Sequence, residues 1–253
     1  MQREGGHVVA IDIEGLTKDY GDVRAVDGLT LTIPEAEVFG LLGPNGSGKT
    51  TTINCLTGLL KPTAGTVTVE GYDVQTHGRE ARGVMGVSPQ ETAVYSFLSG
   101  KENVELFGQL YAVPKDKLTV RVDYVIEKVG LVDDAGRRIG RCSGGIKRRV
   151  SIAMALVTDP KVVLLDEPTV GMDPQSRRAI WDFLMELKDK GKTVLLTTHY
   201  MEEAEEICDR VGVIDHGKLI EMGAPSSLKA KYGAEDLEDV FIRLTGRKIR
   251  EEA

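Results

Sequence analysis

Hydrophobic and polar residues alternate along much of the first third of the chain. In the segments VVAIDIEGL and LTLTIP, apolar residues stand at every second position, as Ile11 and Ile13 do in the first of them. A period of two is typical of strands that bury one face. The segment GTVTVEGYDV alternates in the same way and predicts one more strand. The pattern therefore predicts an antiparallel β portion near the N-terminus.

Three later segments, EVFGLLGP, KVVLLDEP and KTVLLTTH, contain continuous apolar runs. Such runs are typical of parallel strands that are covered on both faces. The segment TTINCLTGLL follows the first of them and predicts a helix that ends by Pro62, because proline cannot continue a helix. The segment RVGVIDHGKLIEMG predicts a hairpin that turns at His216 and Gly217, two residues suited to positive φ.

The middle of the chain changes to a helical period. The segments ENVELFGQLY and VRVDYVIEKVG predict helices between Lys101 and Leu131, and IKRRVSIAMALV predicts another. The tail EDLEDVFIRLTGRKIREEA predicts a short amphipathic helix, with Leu237, Val240 and Phe241 on one face.

The order of these elements indicates an α/β protein whose core is interrupted by helices. We predict a discontinuous core over residues 1–90 and 159–233, built on a mainly parallel sheet with the antiparallel β portion at its start. We predict an inserted α-helical subdomain over 91–158 and a short C-terminal helical tail over 234–253.

Composition narrows the classes of function. The chain has 253 residues and a net charge of −7, which disfavours nucleic acid as the main partner. Its three cysteines lack CxxC spacing, so they indicate neither a zinc site nor a disulfide framework and fit a reducing compartment. We predict no signal peptide, and no apolar run approaches the ~20 residues that span a bilayer. If the protein works at a membrane, other subunits must supply the spanning part.

The segment GPNGSGKT carries the first candidate chemistry. Residues Gly43 to Thr50 match G-x-x-x-x-G-K-T and stand between a predicted strand and a predicted helix, which is the context that a phosphate-binding loop requires. The glycines let backbone N–H groups face phosphates, and the helix N-terminus adds partial positive charge. We predict that Lys49 reaches the β- and γ-phosphates and that the Thr50 hydroxyl ligates Mg²⁺.

Acidic residues and a histidine follow two of the buried strands. Asp166 ends VVLLD, where it is placed to hold Mg²⁺ through water, and Glu167 comes next, near the expected position of an attacking water. We therefore assign Glu167 as the general base. His199 ends TVLLTTH, where it is placed to contact a γ-phosphate.

The ordered motifs GPNGSGKT, GVSPQ, CSGGI, VVLLDEP, TVGMD and TTH resemble the nucleotide-binding domain of ATP-binding-cassette (ABC) transporters. The resemblance covers nearly the whole chain, and its most specific element is Ser-Gly-Gly shortly before an Asp-Glu-Pro strand. It implies a phosphate-loop NTPase fold, ATP and Mg²⁺ as cofactors, and ATP hydrolysis. It also implies that two copies pack head to tail around ATP and bind an integral membrane permease at the cytoplasmic face of the cell membrane.

The resemblance further implies roles for single residues. Tyr20 stands where an aromatic ring stacks on adenine, Gln90 senses Mg²⁺ and the attacking water and links to the membrane subunits, and His199 is the switch histidine. The residues implied in ATP binding are Tyr20, Gly43, Pro44, Asn45, Gly46, Ser47, Gly48, Lys49, Thr50, Thr51, the signature residues Ser143, Gly144 and Gly145, and Asp173 of the loop that crosses between subunits. The implied catalytic residues are Lys49, Gln90, Glu167 and His199, and the implied metal ligands are Thr50, Gln90 and Asp166.

The signature motif departs from the family's usual Leu-Ser-Gly-Gly-Gln. Cys142 replaces the leucine and Ile146 the glutamine. Because the Ser-Gly-Gly that touches phosphate is intact, we expect binding to persist. A second candidate at residues 98–100 lacks the second glycine and is not assigned.

The basic run Lys147-Arg148-Arg149 after the signature resembles exporters of the ABC-2 type, including the daunorubicin-resistance group, as do THYMEEAE and LEDVFIRLTG. Cations in a first helical turn oppose the helix dipole, and an anion bound nearby would ease this. We expect most of the three to lie on a solvated helix face.

Two aromatic residues, Tyr95 and Phe97, follow Gln90 at the start of the predicted helical insertion. We hypothesise that they are exposed and form part of a groove for a short helix of the membrane subunit. The alternative is that both rings pack into the small helical core.

Three functions are compatible with these motifs: an ATPase subunit of an exporter, a soluble ABC protein of translation or DNA maintenance, and a regulatory module that binds ATP without turnover. The translation proteins usually carry two cassettes, whereas this chain has one phosphate loop. The DNA proteins carry a long coiled-coil insertion, for which the segment between Gln90 and Ser143 is too short. Intact Glu167 and His199 argue against the regulatory module. We favour an exporter of a drug, lipid or ion, with a soluble non-transport ATPase as the alternative.

Overall fold

A computed structural model gives the fold of residues 3–4 and 7–246. The strands of the described residues are β1 (Arg3–Glu4), β2 (His7–Tyr20), β3 (Val23–Pro34), β4 (Val38–Leu42), β5 (Ala64–Val69), β6 (Tyr72–Asp73), β7 (Met85–Ser88), β8 (Val162–Asp166), β9 (Thr193–Thr198), β10 (Arg210–Asp215) and β11 (Lys218–Gly223). The α-helices are α1 (Lys49–Leu56), α2 (Gly78–Val84), α3 (Gly100–Leu110), α4 (Lys115–Lys128), α5 (Gly144–Leu156), α6 (Pro174–Asp189), α7 (Met201–Ile207), α8 (Pro225–Tyr232) and α9 (Leu237–Thr245), and a short 3₁₀ turn covers Ile139–Arg141.

The larger sheet has the strand order β11-β10-β4-β9-β8-β7. Its inner strands are parallel, and β11 pairs with β10 in antiparallel orientation. Neighbouring residues of its strands point to opposite faces, and both faces are covered: Val162 and Leu164 belong to one hydrophobic cluster, whereas Val163 and Leu165 belong to the other. This burial on both sides explains the unbroken apolar runs in the sequence. The predicted α/β fold with a mainly parallel sheet is confirmed.

The smaller sheet is antiparallel and packs over one face of the larger sheet. Strand β2 is its centre, and it pairs with β1, β3 and β5. Ile11 lies opposite Ile33 on one side and Val69 on the other, and all three are fully buried. The helix α1 and strand β4 contribute Ile53 and other side chains to the same cluster. The predicted N-terminal antiparallel portion is therefore confirmed.

Predictions are confirmed at one helix end and one hairpin turn, and one predicted strand is corrected. Helix α1 ends at Leu56, before Pro62, and the hairpin of β10 and β11 turns through His216 and Gly217, both with positive φ. The segment GTVTVEGYDV was expected to be one strand, and this prediction is wrong. It forms two strands, β5 and β6, because the chain reverses at Glu70 and Gly71, which have φ of 50° and 78°.

The segment between β7 and β8 contains α3, α4 and α5, whose apolar faces pack together in the larger hydrophobic cluster. Ser99 is the N-cap of α3 and forms a capping box with Glu102, so the unassigned motif at residues 98–100 is a helix start. The α9 face is also confirmed, since Leu237, Val240 and Phe241 are buried. The boundaries of the helical subdomain and of the tail stay predictions, and residues 247–253 of the tail lie outside the described residues.

Gly86 in β7 provides a test of the contact between the larger sheet and α5. A Cβ at this position would lie 2.1 Å from the Ala155 carbonyl oxygen and 2.7 Å from Cγ of Pro160. We expect Gly86→Ala to lower the free energy of unfolding by roughly 2–3 kcal/mol, because rigid groups would have to move. In α2, a Cβ on the exposed Gly83 meets nothing within 4 Å, so Gly83→Ala should be neutral or slightly stabilising. Thermal unfolding checks both, and equal melting temperatures would contradict the packing.

Candidate functional site

The loop of residues 43–50 joins the C-terminal end of β4 to α1. Gly46 and Gly48 have φ of 78° and 109°, a conformation that favours glycine. A Cβ on Gly43 would lie 2.3 Å from the Ile214 carbonyl oxygen, and one on Gly48 would lie 2.5 Å from the Ala25 carbonyl oxygen. Only glycine fits at these points. The loop therefore wraps tightly enough to direct backbone N–H groups at the start of α1 towards an anion.

Lys49 is the first residue of α1, and its side chain is buried beneath the loop. Its ammonium group donates hydrogen bonds to the carbonyl oxygens of Gly43 at 2.8 Å and Pro44 at 3.1 Å. It also lies 3.7 Å from Oε1 of Glu167. Burial lowers the pKa of Lys49, and the negative charges of Glu167 and Asp166 offset part of that effect. The result is a cation held where the loop meets the two acidic residues.

Glu167 lies just beyond the end of β8 in a left-handed conformation, with φ of 53°. Its Oε1 is 3.1 Å from Nδ1 of His199, and its Oε2 accepts a hydrogen bond from Nε2 of Gln90 at 3.3 Å. Burial alone would raise the pKa of this carboxyl. The hydrogen bond and charge of His199, together with the charges of Lys49 and Arg148, outweigh burial and hold the pKa of Glu167 below its ordinary value. The group is therefore a carboxylate at neutral pH.

Asp166 is buried and accepts a hydrogen bond from the Thr197 hydroxyl. The backbone N–H of Glu167 donates to two oxygen atoms of Thr197, the hydroxyl at 3.0 Å and the carbonyl oxygen at 3.1 Å. Thr197 belongs to the TTH motif but had no predicted role, and it is the residue that pairs with Asp166 across the parallel strands. Thr197 therefore orients the Asp166 carboxylate and holds the backbone of Glu167.

Oxygen atoms from two segments meet beside the carboxylate of Glu167. The Thr50 hydroxyl lies 3.4 Å from Oε1 of Gln90, and both residues line a cleft of about 320 Å³ together with Lys49 and Glu167. Hydroxyl, amide and carboxylate oxygens are the donors that Mg²⁺ prefers. In the described residues, no group of three or more His, Cys, Asp and Glu is placed to hold a metal. The donor set thus fits Mg²⁺ that completes its coordination with phosphate and water.

The remaining predicted residues lie apart from this cleft. Ser143 caps the N-terminus of α5, where its hydroxyl accepts a hydrogen bond from the Ile146 amide at 3.4 Å. Gly144 lines a neighbouring cavity of about 470 Å³, and Gln90 and Glu167 form part of its walls as well as part of the cleft. Within the described residues, no hydrogen bond or ion pair joins Ser143–Gly145 to the phosphate loop. One chain therefore does not bring the signature motif to its own loop.

Two further predicted residues are on the surface. Tyr20 ends β2, and 47% of its surface is exposed, with the Lys18 ammonium 5.2 Å from the ring centroid. Asp173 caps α6 and accepts hydrogen bonds from the amide and hydroxyl of Ser176 at 2.9 and 2.6 Å. These bonds hold the pKa of Asp173 below its ordinary value. Both residues are available to a ligand or to a second chain.

The two unusual residues of the signature motif face the protein interior. Cys142 is buried, and its thiol donates to the Arg138 carbonyl oxygen at 3.4 Å. Ile146 is partly buried and packs against the larger hydrophobic cluster. Both substitutions therefore leave the exposed Ser143 and Gly144 unchanged.

The basic run behaves differently from the prediction of a solvated face. Arg148 is only 4% exposed. The Arg149 side chain is 13% exposed, and its guanidinium donates to the Gly130 carbonyl oxygen. The prediction is wrong because α5 is buried on almost all sides. The apolar segment that follows, from Val150 to Val157, indicates that the helix is buried. An arginine in a buried helix needs hydrogen-bond partners inside the protein.

An apolar cavity of about 750 Å³ opens beside Gln90. Its walls include Leu59, Phe107, Tyr111 and Met154, from α3, α5 and the segment after α1. Tyr95 and Phe97 are not among the residues that line it. They are nevertheless 52% and 87% exposed, so the alternative that both pack into the helical core is wrong.

Among the helices of residues 3–4 and 7–246, none combines the length and the hydropathy needed to cross a bilayer.

Comparison with known proteins agrees with this geometry. Residues 26–170 match the family model described as ABC transporter. The chain is 41% identical over 238 residues to a daunorubicin resistance ATP-binding protein of Streptomyces coeruleorubidus, which covers 94% of this chain and 75% of the relative. It is 43% identical over 233 residues to a Nod factor export ATP-binding protein of Rhizobium sp. (strain N33), covering 92% of this chain and 77% of the relative.

Solved structures give the same result. An ATP-binding subunit of an ABC transporter superposes with a TM-score of 0.86 at 25% identity, covering 93% of this chain and 99% of that chain. A dimeric ATP-binding cassette in a post-hydrolysis state, bound to ADP and Pi, superposes with a TM-score of 0.78 at 28% identity, covering 85% of this chain and 98% of that chain.

Removal of the buried cation tests the phosphate loop. We expect Lys49→Ala to weaken ATP binding roughly 10- to 100-fold, because a charged hydrogen-bond donor is lost. Lys61→Ala, which removes an exposed lysine, is the matched control and should leave binding unchanged. Equilibrium titration with a fluorescent ATP analogue measures both. Equal affinity of the two variants would contradict the assignment of the loop.

Proposed function

This chain belongs to the ABC transporter family, and from that membership we propose that it hydrolyses ATP to drive export through separate membrane subunits. The observation that carries the proposal is the convergence of Lys49, Gln90, Glu167 and His199 on one cleft at the C-terminal edge of the parallel sheet. Its relatives by name serve drug resistance and Nod factor export. These names favour a transporter over a soluble, non-transport ATPase, and we propose a drug, lipid or ion as the exported substrate.

The phosphate loop and Lys49 bind the triphosphate in this proposal. Backbone N–H groups of residues 46–51 surround the phosphates, and the ammonium of Lys49 moves from the loop carbonyls to the β- and γ-phosphate oxygens. Thr50, Gln90 and Asp166 would hold Mg²⁺, which neutralises phosphate charge when it is bound. Tyr20 provides the exposed ring on which adenine stacks.

Glu167 accepts a proton from the attacking water. Its lowered pKa keeps it deprotonated, and the bonds from Gln90 and His199 fix both oxygens of the carboxylate. When Lys49 turns to the phosphates, Glu167 loses one cationic neighbour and becomes a stronger base. His199 then lies between the carboxylate and the γ-phosphate as the switch residue.

A second copy of the chain completes the site. Ser143 and Gly144 are exposed at the start of α5 and have no bond to their own phosphate loop. We propose that two copies pack head to tail, so that Ser143 and Gly145 of each contact the γ-phosphate held by Lys49 of the other. Asp173 lies at the exposed start of α6, where the crossing loop meets the partner.

The apolar cavity beside Gln90 is the proposed docking site for the permease. Phe107 and Tyr111 form an apolar wall that suits the face of a short helix. Gln90 touches both this cavity and Glu167, so a helix seated there affects the catalytic carboxylate through one side chain. We propose that this docking takes place at the cytoplasmic face of the membrane. Tyr95 and Phe97 lie outside the cavity and offer a neighbouring contact surface.

The base assignment predicts separation of binding from turnover. Glu167→Gln keeps the side-chain shape but accepts a proton poorly, so we expect ATPase turnover to fall at least about 100-fold while ATP binding persists. Glu202→Gln changes a largely exposed glutamate and should keep the wild-type rate. Phosphate release measures turnover, and size-exclusion chromatography should show an ATP-bound dimer of the Glu167 variant. Wild-type turnover in Glu167→Gln would assign the base elsewhere.

Mixing two inactive variants tests the shared site. One chain carries Lys49→Ala and the other Gly144→Asp, at a position where an added Cβ meets nothing within 4 Å. In the mixed dimer one site receives both lesions, and the other receives none. We expect ATP-dependent heterodimers, measured by energy transfer between labelled chains, whereas each variant alone stays monomeric.

The control for this experiment uses Gly136→Asp in place of Gly144→Asp. Gly136 is also exposed, and an added Cβ there meets nothing within 4 Å. That variant alone should dimerise as the wild type does. If both motifs served one site within one chain, mixing would restore no ATP-dependent association.

A further inference from the structure

Arg148, in the first turns of α5, uses every N–H of its guanidinium inside the protein. An arginine has five such donors in a fixed planar fork. Nε donates to one carbonyl oxygen, and Nη1 and Nη2 each donate to two. The five acceptors are the carbonyl oxygens of Pro89, Gln90, Asp166, Glu167 and Pro168. The carbonyl oxygen of Gln90 lies 2.9 Å from Nη1, and that of Glu167 lies 2.6 Å from Nη2.

These acceptors come from two separate segments that meet at the cleft. One segment follows β7 and the other follows β8, and neither belongs to α5. The side chains of Gln90 and Glu167 are bonded to each other at 3.3 Å. The guanidinium therefore holds the backbones of the same two residues whose side chains meet in the cleft.

The backbone at Glu167 needs such support. Its left-handed φ of 53° is unfavourable for a residue with a Cβ, and the surrounding bonds must maintain it. The N–H of Glu167 donates to the Thr197 hydroxyl, and its carbonyl oxygen accepts a hydrogen bond from Arg148. Loss of the second partner would remove a donor from three successive carbonyl groups at the end of β8, and the Glu167 carbonyl oxygen would keep only a long bond of 3.5 Å from the Val170 amide.

Arg148 also connects this backbone to the signature motif. It lies one helical turn after Gly144, so it moves with the end of α5 that carries Ser143. Movement of that end relative to the parallel sheet must strain or break bonds to Gln90 and Glu167.

We propose that Arg148 is a positioning residue, which sets Gln90 and Glu167 for hydrolysis and ties their placement to the signature end of α5. The proposal rests on the proposed role of Glu167 as general base. A lysine cannot replace the arginine, since an ammonium has three donors and no planar fork. Charge at position 148 is therefore not sufficient, and the geometry of the fork is required.

The test compares Arg148→Lys and Arg148→Gln with two controls in the same helix. Arg149→Lys removes a guanidinium that is bonded to the Val129 and Gly130 carbonyl oxygens, and Lys147→Gln removes a neighbouring charge. Rates are expressed per bound nucleotide, measured with a fluorescent ATP analogue, so that unfolded molecules do not contribute.

We expect both Arg148 variants to lose roughly 10- to 100-fold in kcat, as small displacements of catalytic groups do, with ATP affinity within about twofold of wild type. Both controls should stay within about twofold of the wild type in kcat. A kcat of Arg148→Lys equal to that of the controls overturns the proposal. Loss of nucleotide binding in both Arg148 variants also overturns it, because the residue would then be needed for the fold itself.

A double variant separates this proposal from the assignment of the base. If Arg148 acts through Glu167, the fold-loss in single-turnover hydrolysis that Arg148→Lys causes should be smaller in the Glu167→Gln background than in the wild type. An equal fold-loss in both backgrounds overturns the positioning role. A wild-type rate in Glu167→Gln alone would instead reject the base assignment, which distinguishes the two failures.

Discussion

The site depends on one electrostatic constraint, which is that the carboxylate of Glu167 is ionised although its side chain is only 7% exposed. Burying an uncompensated carboxylate costs several kcal/mol even after the protein relaxes. Lys49, Arg148 and His199 approach it from three different elements and supply that compensation. Lys49 and Arg148 are in turn held by backbone carbonyl oxygens of the neighbouring loops. The arrangement of α1, α5 and β9 around the end of β8 therefore follows from the need to keep this charge.

Parallel pairing of the strands brings these groups together. Residue Asp166 pairs with Thr197 across β8 and β9, and Leu42 pairs with Thr198 across β4 and β9. All three strands therefore end at the same level, and the phosphate loop, Glu167 and His199 leave the sheet at one edge. The hydrophobic clusters on both faces lock that register, because a shift by one residue would exchange the two buried faces.

The parts of this site that depend on a few consecutive residues could be predicted from the sequence. The phosphate loop, Asp166, Glu167 and His199 are of this kind, since each is announced by a short motif at the end of an apolar run. Arg148 could not be identified from its charge. Its environment depends on packing between α5 and two distant loops, which a run of three cations does not reveal. The reversal at Glu70 and Gly71 was missed for a similar reason, because alternation continues through the turn and conceals it.

The contacts within one chain also indicate which step of the reaction cycle needs a second chain. Glu167 already contacts Gln90, His199 and Lys49 in the single chain, so the proposed base and its supporting residues are assembled within one chain. The exposed Ser143 and Gly144 have no such contacts to the phosphate loop. In the proposed head-to-tail dimer, the second chain therefore contributes donors for the γ-phosphate rather than the base. Arg148 lies between these two proposed functions, one helical turn from Gly144 and bonded to the backbone of Glu167. A dimer that moves the signature end of α5 must therefore act on Glu167 through the same five carbonyl groups, which gives a physical route from partner binding to hydrolysis.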